Sequence, residues 1–395
     1  MRDRINRLYR LLKRHWLWGV RALVAYLALG ALVPAPPRAP LQQPDQIVET
    51  VKPHVCMHTR LIDEVEEWKI QRSLQLVREM GAGTIVEFFP WAYIEGSRDV
   101  YDWTNVDRIV RHAENQGVRI IARMGLVPAW ARQTNDRLDD DFTTLNTLPV
   151  ESYGEFAEFV ADFAARYAGI IDHLIIWNEP NLAFEWGYRQ VDPAGYVDLL
   201  RAVYTPAHAA NPNVVILAAP LAPTLEPPGS ANGLNDVLYL EAIYEEAGAA
   251  EYFDALAMHT YGFTDPADAP PAADALNFRR AELLREVMVR YGDADAPVYI
   301  TETGWNDHPR WTKAIHPSLR VAYTLDALEW AETEWDWLDA MCLWVFRYPA
   351  PTLNYPDNFT FASTDFGLKP IYYAVQAYAR GFEEQNQRWL PPPGD

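Results

Sequence analysis

Two glutamates in this 395-residue chain stand where short apolar runs stop. Glu179 closes Leu174-Ile175-Ile176-Trp177-Asn178-Glu179, and Glu302 closes Val298-Tyr299-Ile300-Thr301-Glu302. Each run reads as a strand buried on both faces. Pro180 cannot donate to a sheet ladder and biases Glu179 away from helical angles, so the chain leaves the sheet just after presenting Asn178 and Glu179. The carboxyl ends of buried parallel strands are where an α/β barrel keeps its chemistry. Two such glutamates suggest a pair, one to protonate a leaving oxygen and one to attack the carbon it leaves. Those are the working parts of glycosidic-bond cleavage.

The segments Trp177-Asn178-Glu179-Pro180 and Thr301-Glu302-Thr303-Gly304-Trp305, in this order, resemble clan A glycoside hydrolases, nearest to families 39 and 5. The resemblance covers roughly residues 54–380. It implies a single (β/α)8 barrel that cleaves a β-linked oligo- or polysaccharide with retention. Glu179 would be the acid/base and Glu302 the nucleophile, working through a glycosyl-enzyme intermediate. Asn178 would hold the sugar 2-hydroxyl. Met258-His259-Thr260-Tyr261-Gly262 resembles the clan's His-x-Tyr, which makes His259 a lining residue and Tyr261 a partner of the nucleophile. Being two apart, they share one face of an extended segment.

Trp344 resembles the tryptophan that floors the subsite beside the scission point. Trp305, just after the nucleophile, is expected to wall the same pocket. Trp91 could reach the sugar, in a segment Trp91-Ala92-Tyr93-Ile94-Glu95 that is otherwise scaffold in the family, so Glu95 is given a structural role. Gly96 and Asp99 depart from the family's proline and glycine there. An arginine that supports the nucleophile also belongs to the pattern. Arg60, Glu87 and Arg123 lie on or just after apolar strands, and none is matched to that place. Two other readings use the same barrel: a sugar-binding protein without catalysis, and a transglycosidase.

Positioning such residues takes eight strands. The apolar runs place them at 54–59, 84–89, 119–125, 174–177, 214–219, 255–259, 298–302 and 341–346. Amphipathic stretches between them, for example 65–80, 105–116, 153–167, 196–211, 277–291 and 317–332, predict helices, with a last one at 370–379. Strands alternating with helices imply a parallel sheet. The barrel is expected over residues 51–385, followed by a tail at 386–395.

Net charge is −20. Through Arg38 there are eight Lys and Arg against one acidic residue, or +7, which leaves −27 for the remainder. An acidic body argues against nucleic acid as a partner, because phosphate binding needs clustered cations. No metal-ligand constellation is legible and two-carboxylate chemistry needs no cofactor, so none is expected; a carbohydrate substrate and a monomer are. The two cysteines, Cys56 and Cys342, fall on the first and last strands. They are expected as buried free thiols, with a bridge as the alternative, since disulfide geometry is demanding.

Residues 1–33 begin basic and turn apolar from Trp16 to Val33, broken only by Arg21. This reads as a signal-anchor or signal peptide, with the body outside the cytoplasm, anchored to the membrane or secreted. Residues 34–50 read as a proline-rich spacer.

Overall fold

The computed structural model describes residues 48–132 and 143–382, together with Arg2, Arg4, Lys13, Trp16, Val20 and Arg21, which are helical and exposed. Most of the apolar part of the expected leader, most of the spacer and the tail at 386–395 lie outside the described residues. Met1–Gln46 forms a unit of its own, and Ile47–Asp395 forms the second. Among the described residues, no helix is long and apolar enough to cross a membrane.

Eight strands form the second unit's centre: β1 (Val55–His58), β2 (Thr84–Pro90), β3 (Arg119–Gly125), β4 (His173–Ile176), β5 (Val215–Ala218), β6 (Ala255–Tyr261), β7 (Val298–Gly304) and β8 (Leu338–Leu343). They pair in sequence order, all parallel, and β1 closes on β8. Among the described residues, one helix of at least ten residues follows each strand: α1 (Glu67–Met80), α2 (Thr104–Asn115), α3 (Tyr153–Arg166), α4 (Pro193–Ala210), α5 (Asp236–Glu245), α6 (Ala281–Arg290), α7 (Pro317–Glu334) and α8 (Pro370–Arg380); a single turn, Trp91–Ile94, also follows β2. The expected (β/α)8 barrel is therefore present.

Local chemistry sets the helix ends. Pro193 opens α4 with its ring geometry already helical, and the Asp192 side chain accepts from Gly195 N. Asn235 caps α5 in the same way. Gly81 ends α1 in the left-handed region, at φ 106°.

The strands alternate. One face packs on the helices; the other fills the barrel with Cys56, Val86, Ile121, Ile175, Leu217, Ala255, Ala257, Tyr299, Ala340 and Cys342. Each strand contributes to this apolar plug, as parallel barrels require. Two residues further along, the same inner face carries His58, Phe88, Arg123 and His259. The plug is thus the floor on which a polar layer stands.

Two expectations need correction. The eighth strand starts at Leu338 and ends at Leu343, rather than spanning 341–346. Asp339 broke the apolar run in the sequence, yet it lies within the strand, where the β7–β8 register skips it, and accepts from the Tyr299 hydroxyl at 2.7 Å. The thiols are not free either. Cys56 and Cys342 stand directly opposite in the β1–β8 register and are joined as a disulfide.

Candidate active site

Glu179 lies three residues beyond β4, where the chain turns sharply. Trp177 and Glu179 both have positive φ, 80° and 39°, on either side of Asn178. Non-glycine residues rarely hold such angles, and they persist where the surroundings impose them. Here Trp177 Nε1 donates to the Glu185 carbonyl at 2.9 Å, and Glu179 N donates to Pro220 O at 3.0 Å.

Glu302 reaches the site by an irregularity. Along the β6–β7 ladder, Met258 pairs with Ile300, but His259 then pairs with Glu302. A regular ladder would have set Thr301 opposite His259. The slip re-aims one side chain, as β-bulges do near functional sites.

The two carboxylates meet. One oxygen of each lies within 4.8 Å of the other, and a His259 nitrogen lies within the same distance of both. Glu179 Oε1 is 2.7 Å from His259 Nδ1. Tyr261 donates its hydroxyl to Glu302 Oε2 at 2.8 Å. Arg123 Nη1 donates to Glu302 Oε1 at 3.0 Å and to Asn178 Oδ1 at 2.8 Å. Nε2 of His58 and of His259 stand 3.6 Å and 3.7 Å from Glu302 Oε1. Both nitrogens are buried and have no hydrogen-bond partner in the protein.

Environment separates the two acids. Burial lifts Glu179 to about 7, opposed only by the charge of Arg123. Burial and the neighbouring Glu179 raise Glu302, but the charge of Arg123 and the Tyr261 hydroxyl pull it back down. Burial outweighs the neighbouring carboxylate at His259 and pushes it to about 4, so the imidazole is neutral at pH 7. The close His259–Glu179 contact is therefore a hydrogen bond between a neutral ring and a carboxyl group, and a charged pair is the wrong description. A carboxyl that keeps its proton near neutrality can act as an acid; one held by a cation and a phenol is suited to ionise and attack.

Glu179, His259 and Glu302 are also the trio whose ligand-type atoms come close enough for a metal ion, among the described residues. Arg123 already neutralises Glu302, so a cation there would lie against the guanidinium. The donor set fits a hydrogen-bonded acid pair better than a metal centre.

Of the eight residues singled out in the sequence, Glu179, Glu302, Asn178, His259 and Tyr261 come together. Trp344, half-buried just beyond β8, meets His58 edge-on at 4.4 Å and so borders the cluster. Trp305 and Trp91 are turned into packing. The Trp305 indole donates to Asp265 O at 2.8 Å and lies so close to Gly262 that a Cβ there would come 1.8 Å from the ring. Trp91 is fully buried and donates to Glu95 Oε2 at 2.7 Å, stacked on Phe159. Glu95 is structural as expected, since it also accepts from Asp99 N at 2.7 Å. The supporting arginine left unplaced is Arg123, and His58 was missed altogether. Both follow an inward apolar residue, Ile121 or Cys56, by two, and that period was the signal.

No protein-family model matches the sequence, and no curated protein does. Solved structures do match in fold. A family 39 glycoside hydrolase from the gut symbiont Bacteroides cellulosilyticus WH2 superposes with a TM-score of 0.64 at 19% identity, over 83% of this chain and 64% of that one. A monomeric β-xylosidase from Caulobacter crescentus CB15 gives 0.60 at 18%, over 84% and 68%. A GH5_18 protein from Streptomyces cattleya, in complex with GlcNAc, gives 0.60 at 15%, over 88% and 83%. This chain thus spans 64% of the length of the first of them. At these identities the likeness establishes the barrel and leaves the activity to be argued from the site.

Proposed function

We propose that this protein is a retaining glycoside hydrolase acting on a β-linked oligo- or polysaccharide. The observation that carries the reading is the pair itself: Glu179 and Glu302 oxygens within 4.8 Å, both raised by burial, with Glu302 alone also held by the Tyr261 hydroxyl. Retaining enzymes hold their carboxyls about 5–5.5 Å apart, whereas inverting ones leave about 6.5–9.5 Å for a water. The spacing here supports direct attack by one carboxylate.

In the first half-reaction Glu302 attacks the anomeric carbon while Glu179 gives its proton to the departing oxygen. The C–O bond to the leaving group breaks as the ester to Glu302 forms. Glu179, now ionised, then takes a proton from water, which attacks the same carbon and releases Glu302. Tyr261 and Arg123 hold Glu302 in place and favour its ionised form. Asn178, tied to Arg123, is read as a contact to a sugar hydroxyl. Trp344 is read as an apolar border for the ring.

The barrel is read as working outside the cytoplasm, tethered or released by the amino-terminal segment. The basic-then-apolar order of residues 1–33 supports this, as does the Cys56–Cys342 disulfide, since such bonds persist in oxidising compartments.

The test is covalent trapping. A 2-deoxy-2-fluoro β-glycoside panel should add one sugar mass to the peptide that carries Glu302, and the sugar that labels names the substrate class. Labelling elsewhere, with Glu302 untouched, would overturn the assignment.

A further inference from the structure

A third carboxylate, which the two-acid mechanism does not use, stands beside the pair. Glu185 lies in the segment that follows Glu179, and its backbone is clamped: its carbonyl accepts from the Trp177 indole, and the next residue, Trp186, packs edge-on against Trp177 at 5.7 Å. The side chain turns into a cavity of about 140 Å³. Arg123, stacked at 4.6 Å on Phe88, Asn146 and Asn178 line the same cavity. It therefore adjoins the catalytic pair through Arg123 and Asn178.

Burial and the charge of Glu179 push Glu185 up to about 7, while Arg123, Asn178 and Asn146 oppose the shift. Asn146 Nδ2 donates to Glu185 Oε2 at 3.1 Å. A carboxylate offers about four lone-pair positions. Two carboxamides cannot fill them, so acceptor capacity remains and faces the cavity. A half-buried acid beside two others is costly unless a partner satisfies it. A sugar ring is such a partner: its hydroxyls donate to carboxylates and accept from amides, and its apolar face suits an aromatic wall.

We propose that this recess is a sugar-binding subsite in which Glu185 recognises hydroxyl groups of a neutral sugar unit and disfavours one that bears a carboxylate. The inference rests on the glycosidase reading above. Asn146 positions Glu185; Phe88 and Arg123 supply the wall.

The test compares wild type, Glu185→Gln, Glu185→Ala and Asn146→Ala on 4-nitrophenyl β-glycosides of neutral sugars and on the β-glucuronide. Rates are compared above pH 7, where Glu185, raised to about 7, is ionised; the Gln variant keeps the shape and removes that charge. On the best neutral substrate, kcat/KM should fall about tenfold to hundredfold in both Glu185 variants, the cost of hydrogen bonds to a charged group. The ratio of glucuronide to neutral activity should rise in Glu185→Gln and stay level in Asn146→Ala. Glu185 variants within twofold of wild type, or a loss that is the same for every sugar and is copied by Asn146→Ala, would overturn the proposal and leave Glu185 as a loop fixture.

Turnover of no glycoside by wild type would refute the hydrolase reading instead. The subsite is then read by calorimetry with methyl β-glycosides. Neutral glycosides that bind wild type at least tenfold more tightly than Glu185→Gln uphold it. Equal binding, or none, overturns it.

Discussion

Glu179 Oε1 sits 2.7 Å from Nδ1 of His259, a ring that burial holds neutral. With Glu179 protonated, the carboxyl can donate to Nδ1, which leaves the opposite N–H of the ring directed at Glu302 3.7 Å away. One imidazole thus touches both acids without bearing charge itself. Ionising Glu179 requires the other tautomer, in which Nδ1–H donates to the carboxylate.

The pH profile should follow. Glu179 is raised to about 7, so its proton is present below that value and lost above it. Activity that needs the acid should fall as pH rises through about 7. Glu302 must be ionised, and its upward shift sets the acidic limb above the ordinary glutamate range. A bell in kcat/KM is expected, and Glu179→Gln should erase its basic limb on substrates with activated leaving groups. A basic limb that survives in that variant would assign the acid elsewhere.

Leaving-group dependence separates the two roles. Glu179→Ala should cost about 10²–10⁴-fold on natural glycosides, the usual worth of proton transfer, and far less on 2,4-dinitrophenyl glycosides. Equal losses on both would remove its acid role.

Loss of the nucleophile has a different signature. Glu302→Ala should reduce turnover by at least about 10³-fold. Azide should then restore turnover and give a product of inverted configuration. Near-normal activity in the variant would end the assignment.

Tyr261→Phe removes the hydroxyl held at 2.8 Å from Glu302. A hydrogen bond to an ionised group is worth about 1.5–3 kcal/mol, so kcat/KM should fall about tenfold to hundredfold. Because that bond favours the ionised carboxylate, its loss should also move the acidic limb to higher pH. A merely structural tyrosine would leave the limb in place.

Trp305→Phe tests a packing role. The indole is buried against Gly262 and tied to Asp265, so the variant should lose about 0.5–3 kcal/mol of stability with KM unchanged. A raised KM with unaltered unfolding would return Trp305 to the substrate pocket.

Seven of the eight strands were readable because an apolar run buried on both faces looks the same in sequence and in structure. Asp339 hid the start of β8, since a polar residue at a strand's entry resembles a break. The acids were readable from their place at strand ends. What the barrel does with neighbours was not. Arg123 crosses from β3 to Glu302 on β7, and only closure brings them together. The slip at His259 decides that Glu302 rather than Thr301 enters the site, and a slip leaves no mark in composition. The packing contacts of Trp305 and Trp91 were unreadable for a related reason: sequence position says nothing of which way a ring turns.

The Cys56–Cys342 bond spans 286 residues and joins the first strand to the last. The wall of the barrel is therefore a covalent ring. A protease that nicks any loop between the two cysteines opens the ring but leaves the disulfide joining the two pieces. The two fragments stay one molecule, each facing the other at the high effective concentration of a tether. Damage in the loops that bear the binding residues is thus separated from loss of the scaffold. Only a reductant, acting together with the cut, would let the pieces part.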